Sequence, residues 1–197
     1  MSPNIWGPPT WCFFHTLAEK INPDMFNQLF PQIFNYIIRI CRVLPCPDCS
    51  LHASQFLSKV NISGIKNKED FKNLMCIFHN MVNRKKNKRQ FYFENLPAIY
   101  DNKNIINVYN NFLKIFHTKG NMKFLAETFQ RKLILSDLRK WIMLNATSFF
   151  TPLTSLIELH IIEQEGQLQE QLPEQEQLPE QLPEQEPEQE PEQLQEF

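Results

Sequence analysis

The chain has 197 residues and a formal net charge of −2, yet all 20 basic residues precede position 163, together with only 10 of the 22 acidic ones. Residues 1–162 therefore carry a formal charge of about +10, which suits a pyrophosphate, nucleic acid or an anionic membrane surface and selects none of them. The 4 glycines argue against a sheet with tight turns, so we expect a helical chain with one domain of ordinary size and an accessory segment.

The N-terminus lacks the basic and apolar segments of a secretory signal. The best candidate for a membrane span, residues 141–162, is interrupted by polar residues and a proline, and we do not expect it to cross a membrane. These features predict a cytosolic protein. In that compartment a Cys-x-x-Cys pair is more often redox-active or metal-binding than structural.

Two helices are predicted before the Cys-x-x-Cys pair. Pro8 and Pro9 suit the first turn of a helix that runs to about Ile21, in which Trp11 and His15 share a face. A second helix is predicted over residues 23–43, with a kink or break at its internal proline. Its apolar residues are spaced for burial on one side; they are Phe26, Leu29, Phe30, Ile33, Phe34, Ile37, Ile40 and Cys41.

A third helix is predicted from Pro47, with Cys46 at or just before its N-terminus. Unpaired N–H groups and the helix dipole favour a thiolate there, and a thiolate is the form that attacks a disulfide. Cys46 and Cys49 could therefore be a redox pair, half of a zinc site, or a chance pair in a core. A zinc site needs a second close pair of ligands, which the sequence does not offer, so no metal is expected.

A fourth helix is predicted to begin after an N-cap at Asn67 and to end near residue 86. A polar stripe at helical spacing runs along it, comprising Cys76, His79, Asn80 and Asn83. These groups could bond to one another or satisfy a ligand rich in heteroatoms. Residues 84–89 add five positive charges, which suit either solvent at a helix end or a pyrophosphate.

Two further helices, 105–117 and 123–146, are expected to pack on the first four. Residues 163–197 contain 12 Glu and no Lys or Arg. This composition buries too little apolar surface to offset ordering entropy, and it predicts a disordered tail. We therefore divide the chain into residues 1–101, an accessory helical region 102–162, and the tail.

Three motifs together resemble the Erv/ALR family of FAD-linked sulfhydryl oxidases, most closely its short members encoded by large cytoplasmic DNA viruses. The resemblance covers about residues 6–100. The motifs are Trp-Gly-Pro-Pro-Thr-Trp-Cys-Phe-Phe-His at 6–15, Leu-Pro-Cys-Pro-Asp-Cys-Ser-Leu-His-Ala at 44–53, and Phe-His-Asn-Met-Val-Asn at 78–83 with Lys88 beyond it. Each is weak alone, and their order and spacing match the family.

The resemblance implies an all-α fold, a four-helix bundle with a short fifth helix that binds FAD at its mouth. It implies that Cys49 lies against the flavin and that Cys46 takes electrons from a dithiol substrate, with O2 as acceptor and H2O2 as product. Trp11 and His15 would line the cofactor, His79, Asn80 and Asn83 would hold its adenine and isoalloxazine parts, and Lys88 would face its phosphates. The cofactor-binding residues predicted in this way are Gly7, Thr10, Trp11, His15, His52, Cys76, His79, Asn80, Val82, Asn83 and Lys88.

The resemblance also implies protein dithiol substrates, a thioredoxin-like shuttle partner, a homodimer, and a place in the host cytoplasm at the site of virus assembly or in the virion. The cysteine that pairs with Cys76 in many members is missing near residues 56–59, so Cys76 is expected to be a free thiol. No second shuttle pair is present in the chain. An alternative is a basic helical module that binds nucleic acid or a partner surface, but it leaves the cysteine pair unexplained.

Overall fold

The structure is a computed structural model that describes residues 2–116 and 125–149. Seven α-helices and no strand occur in these residues, which confirms the prediction of an all-α fold. The helices are α1 (Pro3–Lys20), α2 (Phe26–Arg42), α3 (Pro47–Leu57), α4 (Lys68–Lys85), α5 (Leu96–Tyr100), α6 (Ile105–Phe116) and α7 (Leu125–Leu144). The predicted tail lies outside the described residues.

Helix α1 begins five residues earlier than predicted. Ser2 caps it by accepting the N–H of Asn4, and Pro3 occupies the first turn, where a missing N–H costs nothing. Pro8 and Pro9 lie inside the helix, so the expected start at Pro8 was wrong. The helix buries residues on several sides because it packs against α4, α5 and α6.

Helix α2 buries all eight residues predicted for its apolar face, and Pro31 is accommodated within a continuous helix. It packs against α3 on one side and α7 on another. Asn67 caps α4 by accepting the N–H of Asp70 at 2.9 Å, as predicted. Of the five residues predicted for the apolar face of α4, four are buried, and Val82 is half-buried.

Helices α6 and α7 complete the core. Five α6 residues are at most 1% exposed, namely Ile105, Ile106, Tyr109, Phe112 and Phe116. Phe13 of α1 stacks on Phe112 with 4.8 Å between ring centroids. Beyond α7, the backbone N–H of Asn22 donates to Ser148 O at 2.9 Å, which joins the end of α1 to the last described residues. The prediction that both helices pack on the first four is confirmed.

Candidate active site

The cysteine pair lies at the N-terminus of α3. Cys46 is the N-cap residue, and its Sγ accepts the N–H of Cys49 at 3.3 Å. The two residues form a disulfide, with their Cα atoms 5.2 Å apart. Pro47 occupies the first helical position, where its fixed φ suits the turn. The helix end thus provides donors to sulfur, which favour a thiolate when the pair is reduced.

A narrow inner cavity of about 90 Å³ lies beside this pair. Cys49 lines it, whereas Cys46 does not. The walls are mainly apolar and aromatic, and they come from α1, α2, α3 and α4; they include Trp6, Thr10, Trp11, Phe14, Cys41, Ala53, Phe78 and Met81. The two cysteines therefore differ in what they face, since Cys49 borders a cavity and Cys46 lies outside it.

A wider outer cavity of about 620 Å³ adjoins the inner one, since Pro3, Gly7, Trp11, Val82 and Lys86 line both. Four cationic side chains line the outer cavity, and they are Lys86, Lys88, Arg89 and Lys103. Its volume is within the range of small-molecule sites. The inner cavity is thus an apolar slot beside the disulfide. It opens into the outer cavity, which forms a basic chamber.

A stack of rings joins α1, α4 and α5 at this site. Trp11 lies parallel to His79, with 4.1 Å between centroids and 7° between planes. His79 Nδ1 and His15 Nε2 are 3.0 Å apart and share a hydrogen bond, although 64 residues separate them in the chain. Tyr100 of α5 stacks on His15 at 4.7 Å. Trp11 and His15, which were predicted to share a face of α1, are thus both in contact with His79 of α4.

Both histidines are neutral at pH 7. Burial lowers the pKa of His15 to about 4. Burial also lowers the pKa of His79 to about 3, with further contributions from His15 and the Lys88 charge. Because each neutral imidazole has one donor and one acceptor nitrogen, one ring donates to the other. The pair therefore presents hydrogen-bonding rings without adding positive charge to the chamber.

The two asparagines of α4 hold the segment that follows this helix. Asn80 donates to Phe91 O and accepts the Phe91 N–H, both at 2.8 Å. Asn83 donates to Arg89 O at 3.1 Å. These bonds shape the wall of the outer cavity, because Phe91, Arg89 and Asn83 all line it. Asn80 does not line either cavity.

The structure brings most of the predicted site residues to the two cavities. Those that line one or both are Gly7, Thr10, Trp11, Cys49, His52, His79, Val82, Asn83 and Lys88. Four predicted residues do not line them, namely His15, Cys46, Cys76 and Asn80. His15 and Asn80 instead bond to residues that line the outer cavity. His15 is hydrogen-bonded to His79, and Asn80 to Phe91.

Several lining residues were not singled out by the sequence. Lys86 and Arg89 belong to the predicted basic run, but nothing in the run distinguished its members. Lys85 contacts His52 across the inner cavity. Tyr100 and Lys103 reach the outer cavity through α5 and the turn after it, and no sequence pattern signalled them.

The remaining cysteines are free thiols. Cys76 is free, as predicted, and it lies next to Asn80 and Phe91. Burial raises its pKa, as does the nearby Glu94 carboxylate. Cys41 lines the inner cavity, and burial raises its pKa far above the usual range, so it stays protonated. Within residues 2–116 and 125–149, no group of three or more potential metal ligands comes together.

The comparisons with known proteins point to one family. The model of the Erv1 / Alr family matches residues 8–102. The chain is 30% identical over 96 residues to an FAD-linked sulfhydryl oxidase of African swine fever virus, a match that covers 49% of this chain and 80% of the relative. It is 30% identical to the FAD-linked sulfhydryl oxidase ERV1 of Arabidopsis thaliana over 47% of this chain and 48% of that protein. No solved structure gives a significant match.

Proposed function

The chain belongs to the Erv1/Alr family, and we propose that its Cys46–Cys49 pair and two adjoining cavities form the working site of an FAD-linked thiol oxidase. The chain covers 80% of the African swine fever virus relative, whose name states this activity. The reaction converts two protein thiols and O2 to a disulfide and H2O2. The observation that carries the assignment of roles is that Cys49, and not Cys46, lines the inner cavity.

The residues present fit a flavin dinucleotide. Gly7 is buried and lines both cavities, and a Cβ built on it would meet no atom within 4 Å. The open space beside a buried helix is therefore part of the cavity. Aromatic walls suit a flat ring, and the four cationic side chains of the outer chamber suit a pyrophosphate. FAD, when bound, supplies the chemistry that accepts two electrons and passes them to O2.

The two cysteines have separate roles in this proposal. A substrate thiolate attacks Cys46 Sγ, the Cys46–Cys49 bond breaks, and Cys49 leaves as a thiolate beside the cavity. A second substrate thiol then displaces Cys46, which yields the substrate disulfide and a reduced pair. The N–H of Cys49 donates to Cys46 Sγ and stabilises negative charge on that sulfur. With FAD bound, the reduced pair would give up two electrons and two protons through Cys49, which restores the Cys46–Cys49 disulfide.

The cofactor-binding roles are assigned by position. Trp11 and His79 offer a stacked pair of rings, and His15 fixes the His79 ring by the hydrogen bond between them. Lys88 and its cationic neighbours hold the phosphates. Asn80 and Asn83 act by fixing the segment that carries Arg89 and Phe91. In this proposal Asn80 acts on the cofactor site through Phe91, and direct contact of Asn80 with FAD stays a prediction.

The finer predictions remain proposals. They are a homodimer, a thioredoxin-like shuttle partner, and a place in the host cytoplasm or the virion. The relative from African swine fever virus supports a viral setting. No helix among the described residues has the length and apolar content needed to cross a membrane. No observation favours the alternative of a nucleic-acid-binding module.

The visible absorption spectrum of the purified protein tests the proposed function. We expect a yellow protein whose flavin absorption bleaches on addition of dithiothreitol without air and returns with air, as H2O2 accumulates. A protein that stays colourless and inert after incubation with FAD would contradict the proposal.

Filling the space beside Gly7 tests the placement of the cofactor. We expect Gly7→Leu to weaken FAD binding by at least about tenfold, because the new side chain occupies the cavity, a loss of about 1.4 kcal/mol. The unfolding temperature of the apoprotein should not fall, because glycine is a poor helix former. FAD titration followed by flavin fluorescence measures the first effect, and thermal unfolding the second.

Gly64→Ala is the matched control. Gly64 lies in a short 3-10 turn, and its Cβ would meet only the Asn61 side chain, at 3.9 Å. We expect this variant to bind FAD as the wild type does. Equal affinity of Gly7→Leu and wild type for FAD would place the cofactor elsewhere.

A further inference from the structure

Helix α7 lies antiparallel to α2 and is joined to it by side-chain hydrogen bonds at three levels. As the residue number rises along α2, the number of its partner on α7 falls. The hydrogen bond nearest the start of α7 is made at the end of α2, where the chain continues to the cysteine pair. At the first level Gln32 pairs with Trp141 at 2.7 Å, at the second Tyr36 and Arg39 both pair with Asp137, at 3.3 and 2.6 Å, and at the C-cap Val43 pairs with Arg131 at 2.9 Å.

The Arg131 tie differs from the other two because it involves a buried charge. Arg131 is 6% exposed, and its Nε–H donates to the backbone carbonyl of Val43. A buried guanidinium is costly unless it is well partnered. Val43 is the C-cap residue of α2, where carbonyl groups lack helical donors and the helix dipole is negative. The ring of Phe116 lies 5.9 Å from the guanidinium carbon. The site therefore compensates the charge.

Val43 precedes Cys46 by three residues, and the chain between them is held from two directions. Val43 and Leu44 are buried. On the far side of the pair, the Ser50 hydroxyl donates to Cys41 O at 2.7 Å. Ser50 fixes the start of α3 to the end of α2, and Arg131 fixes the end of α2 to α7. The turn that carries Cys46 is thus anchored by a helix outside residues 8–102, the part that matches the family.

We infer that Arg131 is a positioning residue for the Cys46–Cys49 pair, an inference that rests on the proposed function for its meaning in turnover. By fixing the Val43 carbonyl, Arg131 restricts the turn that brings the two cysteines together, with Cα atoms 5.2 Å apart. A restricted turn raises the effective concentration of one thiol at the other and so favours the disulfide over the dithiol. Helix α7 thereby tunes the redox pair through the contact of Arg131 with the Val43 carbonyl.

The test is the equilibrium between disulfide and dithiol in full-length Arg131→Met and Arg131→Lys, measured by thiol labelling in glutathione redox buffers. Methionine keeps much of the apolar length and removes the donor and the charge. We expect its equilibrium to shift at least fivefold towards the dithiol, where a tenfold shift corresponds to about 30 mV. Lysine keeps the charge and lacks the planar fork, so we expect a smaller shift in the same direction.

Arg39→Met is the matched control, because it breaks the exposed tie to Asp137 on the same pair of helices. We expect it to lower the unfolding temperature modestly and to leave the redox equilibrium within twofold of wild type. If Arg131→Met does not fold, Arg131→Lys carries the test.

Two outcomes would overturn the inference. One is a redox equilibrium within twofold of wild type in both folded Arg131 variants, or in Arg131→Lys alone if the methionine variant does not fold. The other is an equal shift in Arg39→Met, which would mean that docking of α7 in general, and not this contact, sets the equilibrium. The measurement requires neither FAD nor turnover, so failure of the proposed oxidase function would be seen separately, as a wild type that oxidises no dithiol.

Discussion

We expect replacement of Cys49 or Cys46 by serine to lower dithiol-dependent O2 consumption by at least about 1,000-fold, while the protein keeps its flavin. Removal of a covalent nucleophile costs at least this much in enzymes whose catalytic groups act as a unit. A serine hydroxyl cannot form the disulfides through which electrons pass from the substrate thiols to the cofactor. An oxygen electrode measures turnover, and the visible absorption of the purified variants measures flavin content.

The two variants should differ in their spectra. Cys46→Ser leaves a thiol at position 49, which lines the inner cavity, so the absorption of bound flavin should change with the ionisation of that thiol. Cys49→Ser leaves only the outer thiol and should lack the effect. Ser58→Ala, at the other end of the same helix, is the control and should retain wild-type turnover. Turnover within tenfold of wild type in either cysteine variant would contradict the assignment.

The sequence was sufficient to predict the elements whose apolar residues form a single stripe. Helix α2 has a single apolar stripe, and all eight residues of that stripe are buried. The Asn67 cap of α4 was also predicted, because capping depends on residues three apart. Helix α1 was harder. It is buried on several sides, so its apolar residues form no single stripe, and its true start at Ser2–Pro3 was overlooked in favour of two internal prolines.

The site was predictable in its residue types and not in its pairings. The motifs placed Cys46 and Cys49 at a helix start, and spacing put Trp11 and His15 on one face. The hydrogen bond between His15 and His79 joins residues 64 positions apart, and no local pattern encodes such a contact. The same limit applies to the tie of Asn80 to Phe91. An asparagine on a polar stripe can bind a ligand or a loop, and only the fold decides between them.

The role of residues after 102 shows the same limit on a larger scale. Their helical pattern was visible, and their packing on the bundle was expected. The helical pattern could not show which faces of the first four helices these residues cover. Helix α6 covers the side of α1 that carries Phe13, and α7 follows α2 to the redox turn. The family match ends at residue 102, yet the hydrophobic core continues to Phe149.

Truncation after Tyr100 is therefore expected to abolish the folded monomer. The five buried α6 residues would be removed, and Phe13 and its neighbours would face water. Burial of each large apolar side chain contributes about 1.5–3 kcal/mol, so α6 alone accounts for about 7–15 kcal/mol. That equals the whole stability of a typical domain. We expect the truncated chain to aggregate or to lose its cooperative unfolding transition, measured by circular dichroism and size-exclusion chromatography.

Deletion of residues 163–197 is the control for this truncation, because that segment has too few apolar residues to contribute to a core. The chain without this segment should retain the unfolding temperature of the full chain.

Two single substitutions refine the test. Phe112→Ala should cost about 3–5 kcal/mol, as for other buried aromatic residues. Asn111→Ala, at an exposed neighbouring position, should cost little. A truncated chain that stays monomeric and unfolds at the wild-type temperature would show that residues 1–100 fold without α6.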